Sequence, residues 1–520
     1  MNAARGLGDT SVNARRTTLV VVALALLGVA LRLPFLGVPP GPDESGFFII
    51  GQQWRDGTSL YGDYWVDRPP LLVTILWLVP SITGLRIVGC LAVAAVVLLV
   101  GLAAYAARGH RAAVAAAATA ALLSAAPWLG VVRVNGELLA SPFVAGAMVL
   151  TVLMLRDSPR RPHLLALGAG AASAAAFGVK QSSVDGFVFG TVALAVLALT
   201  RRERRTQALT LLLAAAGGAL AFAALLVAWG ATRGTDPVGL FHAVVTFRAD
   251  AGEVIRESAS SATTDRLREM VLAWLVSGLS LLTVVALALG VRHRRDPVVV
   301  ATLATLLAGS AVALLGGSYW LHYLAQLIPA AALTTAWLVG GPADGSGDGS
   351  GDGSGAAPET DRGPGRTRRL AVLLVAVWLP VATVVTLSDE LSHPIDDGPA
   401  EATGAFIREA SAPGDTIVVA YGQPNVVLDS GLTAPYEHLW SLPIRVLDPD
   451  LADLTALVES PERPTWVVQW GMDGFATWAV RTDAFSEAVH EHYREAATVC
   501  GRTVWLRDDA DRSLPAPEAC

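Results

Sequence analysis

The chain has 520 residues, of which 53% are hydrophobic and 16% are charged, with a formal net charge of -7. A soluble chain of this length carries about a quarter charged residues. The composition therefore excludes an ordinary soluble enzyme and indicates a protein that crosses a membrane many times. We expect no nucleic-acid partner.

Repeated apolar runs of about 20 residues predict transmembrane helices. The first run follows Arg15 and Arg16 and has no small-residue cleavage signature, so we expect a retained first span rather than a signal peptide. We predict eleven spans, near residues 17–36, 85–107, 112–132, 138–155, 164–179, 184–200, 207–231, 270–291, 297–316, 323–340 and 370–387.

A further apolar stretch, 69–83, is short for a span. If it does not cross, and the N-terminus is cytoplasmic, every short arginine cluster falls on the cytoplasmic side, as the positive-inside rule requires. If it crosses, every later cluster is placed outside. We therefore expect 69–83 to be a juxtamembrane helix at the outer leaflet. The segments predicted to be extracytoplasmic are 37–84, 133–137, 180–183, 232–269, 317–322 and everything after 388.

The end of the chain has a different character. Residues 341–369 contain a Gly-Ser-Asp repeat, typical of a flexible linker, here cytoplasmic. Residues 388–520 predict a small extracytoplasmic α/β domain, with buried strands at 416–420, 465–469 and 503–507 and helices at 399–410, 448–459 and 482–496. Cys500 and Cys520 would pair only if this tail is extracytoplasmic, and the sequence leaves the pairing open.

The first outer segment carries two adjacent carboxylates, Asp43 and Glu44, directly after the first span. Phe47, Ile50 and Trp54 recur at helical spacing, which predicts an amphipathic helix over 43–55 lying along the membrane. Asp43 would stand near its N-terminus, where the helix dipole favours negative charge. In the alternative interpretation Asp43 only caps this helix. That role gives no reason for Glu44.

These residues belong to a longer pattern. Asp43-Glu44 after the first span is followed by Gly57-x-x-Leu60-Tyr61, by Arg68-Pro-Pro-Leu and by a second span that Arg86 leads. A second motif stands at Gly317-Ser-Tyr-Trp-Leu-His322-Tyr323. Over roughly 17–340 the sequence resembles the C-type (GT-C) membrane glycosyltransferases, in the branch of protein O-mannosyltransferases and lipid A aminoarabinose transferases.

The resemblance implies a mainly α, polytopic protein with about eleven transmembrane helices, juxtamembrane helices in the first outer loop and the C-terminal α/β domain. We expect a catalytic membrane domain at 1–340, the linker at 341–369, a last span at 370–387 and the outer domain at 388–520. The implied activity is transfer of a sugar from a polyprenyl-phosphate donor to a cell-wall glycan, lipid or protein acceptor, outside the plasma membrane.

The resemblance also suggests roles for the acidic residues. Asp43 would be the general base, and Glu44 would orient it or bind the acceptor. Glu137 is the best match to the second acidic position of the family, which is often an Asp. The alternative for Glu137, a solvated loop carboxylate, remains open.

Cationic residues are needed for the departing phosphate. Lys180 is the only lysine of the chain, which suggests a compact ammonium group for phosphate binding, although snorkelling at a span end would also explain it. Arg68 and His322 are further phosphate candidates, and Tyr323 is a candidate for the acceptor side.

A divalent metal could bind where Asp43, Glu44, Glu137 and His322 converge. Their spacing matches no local ligand motif, so we expect no obligatory metal. Two other functions remain open: a transporter or flippase of lipid-linked saccharides, and a scaffold whose outer domain binds cell-wall components. The first would commonly show internal repeats, and the second leaves Asp43-Glu44 unexplained.

Overall fold

A computed structural model describes residues 2–55, 64–156, 158–258, 260–340, 364–394, 397–471, 474–477 and 479–517. Three sequence predictions lie outside these residues: the motif at Gly57–Tyr61, most of the linker and the Cys520 end of the possible disulfide.

Most of the described chain is helical. The helices of the first half are α1 (Asn2–Ala30), α2 (Pro42–Arg55), α3 (Pro70–Trp77), α4 (Ile82–Arg108), α5 (His110–Leu123), α6 (Gly136–Met154), α7 (Pro162–Val179), α8 (Asp185–Thr200), α9 (Arg205–Thr232), α10 (Pro237–Phe241) and α11 (Phe247–Glu257). Those that follow are α12 (Ser261–Val276), α13 (Leu279–Arg292), α14 (Pro297–Leu315), α15 (Ile328–Val339) and α16 (Pro364–Ser392).

The protein is an α-helical membrane protein. Each of the eleven predicted spans has a helical counterpart, and within the described ranges seven helices are long and apolar enough to cross a membrane by themselves. Large apolar side chains remain exposed along the outside of the bundle, for example Leu213 and Leu220 on α9 and Val377 on α16. A bilayer would cover these surfaces.

Two spans depart from a continuous α-helix. The predicted span at 270–291 is broken between α12 and α13, whose axes differ by 63°. Gly278 stands at the break with a φ of +84°, a conformation that suits glycine. The span predicted at 323–340 begins as a 3-10 helix, Leu321–Leu327, before α15.

The described part of segment 37–84 contains the two predicted short helices, α2 and α3, before α4 begins at Ile82. Helix α3 has eight residues, too few to span a membrane. Helix α2 packs closely on α3 because Gly51 has no side chain: a Cβ there would lie 2.9 Å from the Leu76 carbonyl carbon.

The C-terminal part is a small α/β domain. Its elements are α17 (Gly398–Ala410), β1 (Ile417–Ala420), α18 (Pro424–Ser430), α19 (Ser441–Leu447), α20 (Ala452–Glu459), β2 (Trp466–Gln469), α21 (Asp483–His492), β3 (Tyr493–Val499) and β4 (Arg502–Arg507). The sheet has the order β1-β2-β4-β3, with β1 parallel to β2 and the other two pairs antiparallel.

The three predicted strands are confirmed within a residue at each end. The helix predicted over 482–496 is wrong at its end, because it stops at His492 and the chain continues directly as β3. This strand pairs with β4 from Tyr493 opposite Arg507 to Val499 opposite Arg502. Its alternation was hidden by exposed polar residues, Arg494 and Glu495, that also fit the end of an amphipathic helix.

The domain packs on α2 and on the residues around Trp65. One hydrophobic cluster continues from the membrane helices through Ile50 and Trp54 of α2 into Phe406 and Ile417 of the domain. Backbone contacts accompany it: the Trp65 N–H donates to the Glu437 carbonyl oxygen at 3.0 Å. The domain therefore stands over α2, where the candidate residues lie.

Candidate active site

The two neighbouring carboxylates of α2 occupy different environments. Successive residues of a helix are turned about 100° from each other, and here Glu44 is 1% exposed whereas Asp43 is only half-buried. Glu44 accepts a hydrogen bond from the Val134 backbone N–H at 2.7 Å and forms an ion pair with Arg86 at 2.9 Å. Its oxygens are therefore already engaged.

Arg86 connects this ion pair to the end of the first span. Its guanidinium also donates to the carbonyl oxygens of Phe35 at 3.3 Å, Leu36 at 3.1 Å and Pro39 at 3.3 Å. A buried charge needs such a complete set of partners. The pair thus fixes where the chain enters α2, and this geometry favours the orienting role predicted for Glu44 over acceptor binding.

Asp43 faces the C-terminal domain. The indole Nε1 of Trp440 donates to Asp43 Oδ1 at 3.1 Å, and the Trp440 ring lies 5.3 Å from the ring of Phe47. Gly46 lies beneath the indole: a Cβ there would be 2.2 Å from Trp440 Cζ2. Residues 43, 46 and 47 share one face of α2, and the Trp440 indole packs on this face.

Glu137 and Lys180 form a second buried pair. Glu137 stands in the first turn of α6 and is 1% exposed, so it is not a solvated loop carboxylate. Lys180 Nζ lies 2.7 Å from Glu137 Oε1 and 5.2 Å from the centre of the Tyr323 ring. His322 Nε2 is 3.9 Å from the same Glu137 oxygen. The sole lysine is thus buried in a charged cluster rather than extended toward water.

Arg68 belongs to a third group, centred on Asp67. Arg68 forms an ion pair with Asp67 and lies 5.3 Å over the ring of Phe47. Arg248 of α11 binds the other Asp67 oxygen at 2.9 Å, and the Gln181 side chain donates to the Asp67 carbonyl oxygen at 2.6 Å. Asp67 therefore holds two guanidinium groups beside the residue that follows Lys180.

The three groups form one electrostatic unit. The charges of Asp43 and Glu137 both act on Arg68, on Lys180 and on His322. All the residues singled out in the sequence, from four separate segments of the chain, are thus placed at one end of the helix bundle. Cations and carboxylates alternate there beside the half-buried Asp43.

Some residues of this site were missed in the sequence. The sequence analysis assigned no role to Arg248 or Trp440, which contact Asp67 and Asp43. For Trp440 the only signal was the aromatic-rich run Tyr436-Glu-His-Leu-Trp440. A tryptophan in a small domain fits a core position equally well, so this signal was weak.

Among the described residues, no three His, Cys, Asp or Glu side chains form a group that could hold a metal ion. Glu137 is paired with Lys180 instead.

Comparison with solved structures identifies the fold. ArnT from Cupriavidus metallidurans in the apo state superposes with a TM-score of 0.60 at 15% identity, over 95% of this chain and 98% of ArnT. The same protein bound to undecaprenyl phosphate gives 0.59 at 15% identity, over 94% and 97%. The chain has the fold of a C-type membrane glycosyltransferase. The predicted resemblance is confirmed at this level.

A second C-type protein aligns over nearly the whole chain. The archaeal oligosaccharyltransferase AglB from Archaeoglobus fulgidus, in complex with an inhibitory peptide and a dolichol-phosphate, has a TM-score of 0.54 at 14% identity, over 95% of this chain and 74% of AglB. No protein-family model and no curated protein matches the chain. At these identities the likeness concerns the C-type fold alone.

Proposed function

We propose that this protein is an integral-membrane glycosyltransferase that moves a sugar from a polyprenyl-phosphate donor to an acceptor hydroxyl outside the plasma membrane. The observation that carries the proposal is the half-buried Asp43 beside the cations Arg68 and Lys180, in a fold shared with ArnT. The ArnT structure contains undecaprenyl phosphate, and the AglB structure contains dolichol-phosphate.

The reaction needs a base and a cationic site for the leaving group. Asp43 accepts the proton of the acceptor hydroxyl, whose oxygen forms the new bond to the anomeric carbon. The bond from that carbon to the phosphate oxygen breaks, and polyprenyl phosphate leaves with the bonding electrons. Lys180, Arg68 and Arg248 supply positive charge for it. His322 and Tyr323 line the same cluster, with His322 Nε2 3.9 Å from Glu137 Oε1 and the centre of the Tyr323 ring 5.2 Å from Lys180 Nζ.

Lys180 changes partner in this scheme. Without donor it is paired with Glu137 at 2.7 Å, so a phosphate shares its ammonium group with this carboxylate. Glu137 then holds the lysine in place rather than contacting the acceptor. The acceptor approaches from the C-terminal domain, whose Trp440 contacts Asp43.

The proposed orientation follows the charges. The C-terminal domain and the acidic site lie at one end of the bundle, and the arginine-rich ends of α4, α8 and α13 lie at the other. With the arginines cytoplasmic, the site and residues 388–520 are extracytoplasmic and the linker 341–369 is cytoplasmic. Residues 1–340 and 370–387 form the membrane-spanning part in this proposal.

The function is tested with membranes that contain the full chain and radiolabelled polyprenyl-phosphate sugars. Candidate donors carry hexoses such as mannose or pentoses such as arabinofuranose, and candidate acceptors are wall glycans, lipids and proteins. Wild-type membranes are expected to pass label to an acceptor. Asp43→Asn should lower transfer by roughly 10²–10⁴-fold, the range for a lost general base.

The matched control is Asp250→Asn, which changes an exposed aspartate of α11. It should transfer at the wild-type rate. Full transfer by Asp43→Asn would overturn the mechanism. Label that changes leaflet without reaching an acceptor would support a flippase instead.

A further inference from the structure

A carboxylate stands where the proposed donor phosphate needs cations. The side chain of Asp67 is 11% exposed and contacts two guanidinium groups at once: Arg68 pairs with Oδ1, and Arg248 Nη1 lies 2.9 Å from Oδ2. The negative charge of Asp67 weakens the attraction of the site for a phosphate, and the transfer mechanism gives this carboxylate no role of its own. Its position therefore needs a separate explanation.

The two arginines come from distant parts of the chain. Arg68 follows Asp67 directly in the segment before α3, whereas Arg248 stands in the first turn of α11, 181 positions after Asp67. Two guanidinium groups at one site repel each other. A carboxylate between them offsets this repulsion, and because each of its oxygens contacts one guanidinium, it also fixes the direction in which each guanidinium points.

The backbone of Asp67 is connected to the third cation of the proposed phosphate site. The Gln181 side chain donates from Nε2 to the Asp67 carbonyl oxygen at 2.6 Å, and Gln181 directly follows Lys180. Asp67 thus contacts Arg68 and Arg248 through its side chain and the neighbour of Lys180 through its backbone. The three segments that carry these cations therefore meet at Asp67.

The segments on both sides of this ion pair are packed together. Two residues before Asp67, the Trp65 backbone N–H donates to the Glu437 carbonyl oxygen at 3.0 Å, and the Trp65 ring lies 4.5 Å from the ring of Phe247. Phe247 is fully buried and directly precedes Arg248. The ion pair between Asp67 and Arg248 therefore acts inside a packed interface, where a carboxylate can orient a guanidinium at a small cost in entropy.

We propose that Asp67 is a positioning residue that holds Arg68 and Arg248 in the orientation in which they bind the donor phosphate. This inference rests on the proposed function, because it requires that a polyprenyl phosphate occupies the site. A residue that only ties α11 to the segment before α3 would affect the stability of the protein. A positioning residue also affects the affinity for the phosphate, and its effect depends on the presence of Arg248.

The test measures the melting midpoint of the purified full chain in an uncharged detergent during titration with undecaprenyl phosphate. A ligand that binds only the folded protein raises the midpoint saturably. Asp67→Asn should raise the half-saturating lipid concentration roughly tenfold, which is within the range of coupling in one ion-pair network. Asp67→Glu keeps the charge and should bind more tightly than Asp67→Asn. In the background of Arg248→Gln, Asp67→Asn should have a clearly smaller effect on binding than in the wild type.

The matched control is Asp415→Asn, which removes a carboxylate from another ion pair, that with Arg512 at 2.5 Å just before β1. It should lower the melting midpoint without lipid and leave the half-saturating concentration unchanged. If Asp67→Asn does not fold, Arg248→Lys replaces it. This variant keeps the positive charge but loses the planar fork, so it should also weaken binding, and unchanged binding would count against an orienting role.

Several results would overturn the inference. If Asp67→Asn bound the lipid like the wild type, Asp67 would have only a structural role. If it bound more tightly, Asp67 would merely compete with the phosphate. Fully additive effects of Asp67→Asn and Arg248→Gln would show that Asp67 does not act through Arg248. A wild-type protein that does not bind undecaprenyl phosphate would contradict the proposed function itself, and this result is distinguishable because it needs no variant.

Discussion

The indole N–H of Trp440 donates to the carboxylate of Asp43 across 3.1 Å, although 397 positions separate the two residues in the chain. The proposed base is thus contacted by the C-terminal domain, and the domain is part of the candidate site. Because this contact orients one carboxylate oxygen, the other is left to accept the proton of an acceptor.

Trp440→Phe removes the donor but keeps an aromatic ring on Gly46 and Phe47. A hydrogen bond from a neutral donor to a charged group contributes about 1.5–3 kcal/mol, so we expect kcat/KM for transfer to fall by roughly ten- to 150-fold. Trp470→Phe is the matched control, since Trp470 contacts Arg502 within the domain and should leave transfer unchanged. Equal losses in the two variants would show that the domain is merely destabilised.

Gly46→Ala tests the docking of the domain itself. The added methyl would overlap the Trp440 ring, and overpacking of this kind costs about 1–3 kcal/mol. We expect faster proteolysis between α16 and α17 together with reduced transfer. Gly252→Ala in α11 meets nothing within 4 Å and should be neutral or slightly stabilising. Wild-type proteolysis of Gly46→Ala would contradict the docked arrangement.

Glu44→Gln should act mainly on stability. It leaves Arg86 buried without its carboxylate, and breaking a buried pair costs about 3–5 kcal/mol. We expect a clearly lower melting midpoint in detergent, and a partial recovery in the double variant Glu44→Gln/Arg86→Met. If Glu44→Gln melted like the wild type and lost only transfer, Glu44 would act on the acceptor instead.

A double variant can separate the contribution of Lys180 and Glu137 to stability from their contribution to transfer. Lys180→Met alone leaves Glu137 buried beside His322, with an expected loss of stability of about 3–5 kcal/mol. Glu137→Gln/Lys180→Met removes both charges and should restore the melting midpoint. Transfer should remain low with a raised KM for the donor, because the phosphate has lost a cation. If the double variant recovered transfer, Lys180 would act only as the counter-ion of Glu137 and would not bind the donor phosphate.

The C-terminal domain should be sensitive to mild acid through His438. Burial lowers the pKa of His438 from its usual value near 6.5 to about 4, against the opposing effect of Asp448 and Asp453. Below pH 6.5 the unfolded chain binds a proton that the folded domain refuses, so stability falls as the pH drops from about 6.5 to about 4. The total loss is about 3 kcal/mol. The melting midpoint of His438→Asn should not show this decrease between pH 6.5 and pH 4. If the variant had the same pH dependence as the wild type, His438 would not be its cause.

The spans and strands were predictable because each depends on a local pattern of apolar residues. The break at Ser277–Gly278 was not, since apolar residues continue on both sides and one glycine in a span is common. The positions of Asp43, Glu137 and Lys180 at one face followed from charge and topology. Their pairing did not: which cation meets which carboxylate depends on how α6 and α7 pack, for example on Gly136, which leaves space for the Lys180 side chain.

The contact between Trp440 and Asp43 could not be predicted, because nothing in the tail specifies which surface of the membrane part it meets. Arg86 is an intermediate case. The family pattern marked it as the leading residue of the second span. Its contacts to the carbonyl oxygens of Phe35, Leu36, Val38 and Pro39 depend on the path of the chain between α1 and α2.

The ion pair between Glu44 and Arg86 has a consequence for the position of Asp43. Helix α2 is anchored on one side by contacts to residues 35–39 and to Val134. On the other side the C-terminal domain packs on the same helix, through a shared hydrophobic cluster and through Trp440. Asp43 therefore takes its position from two distant parts of the chain, and a displacement of the C-terminal domain would also remove its hydrogen bond from Trp440.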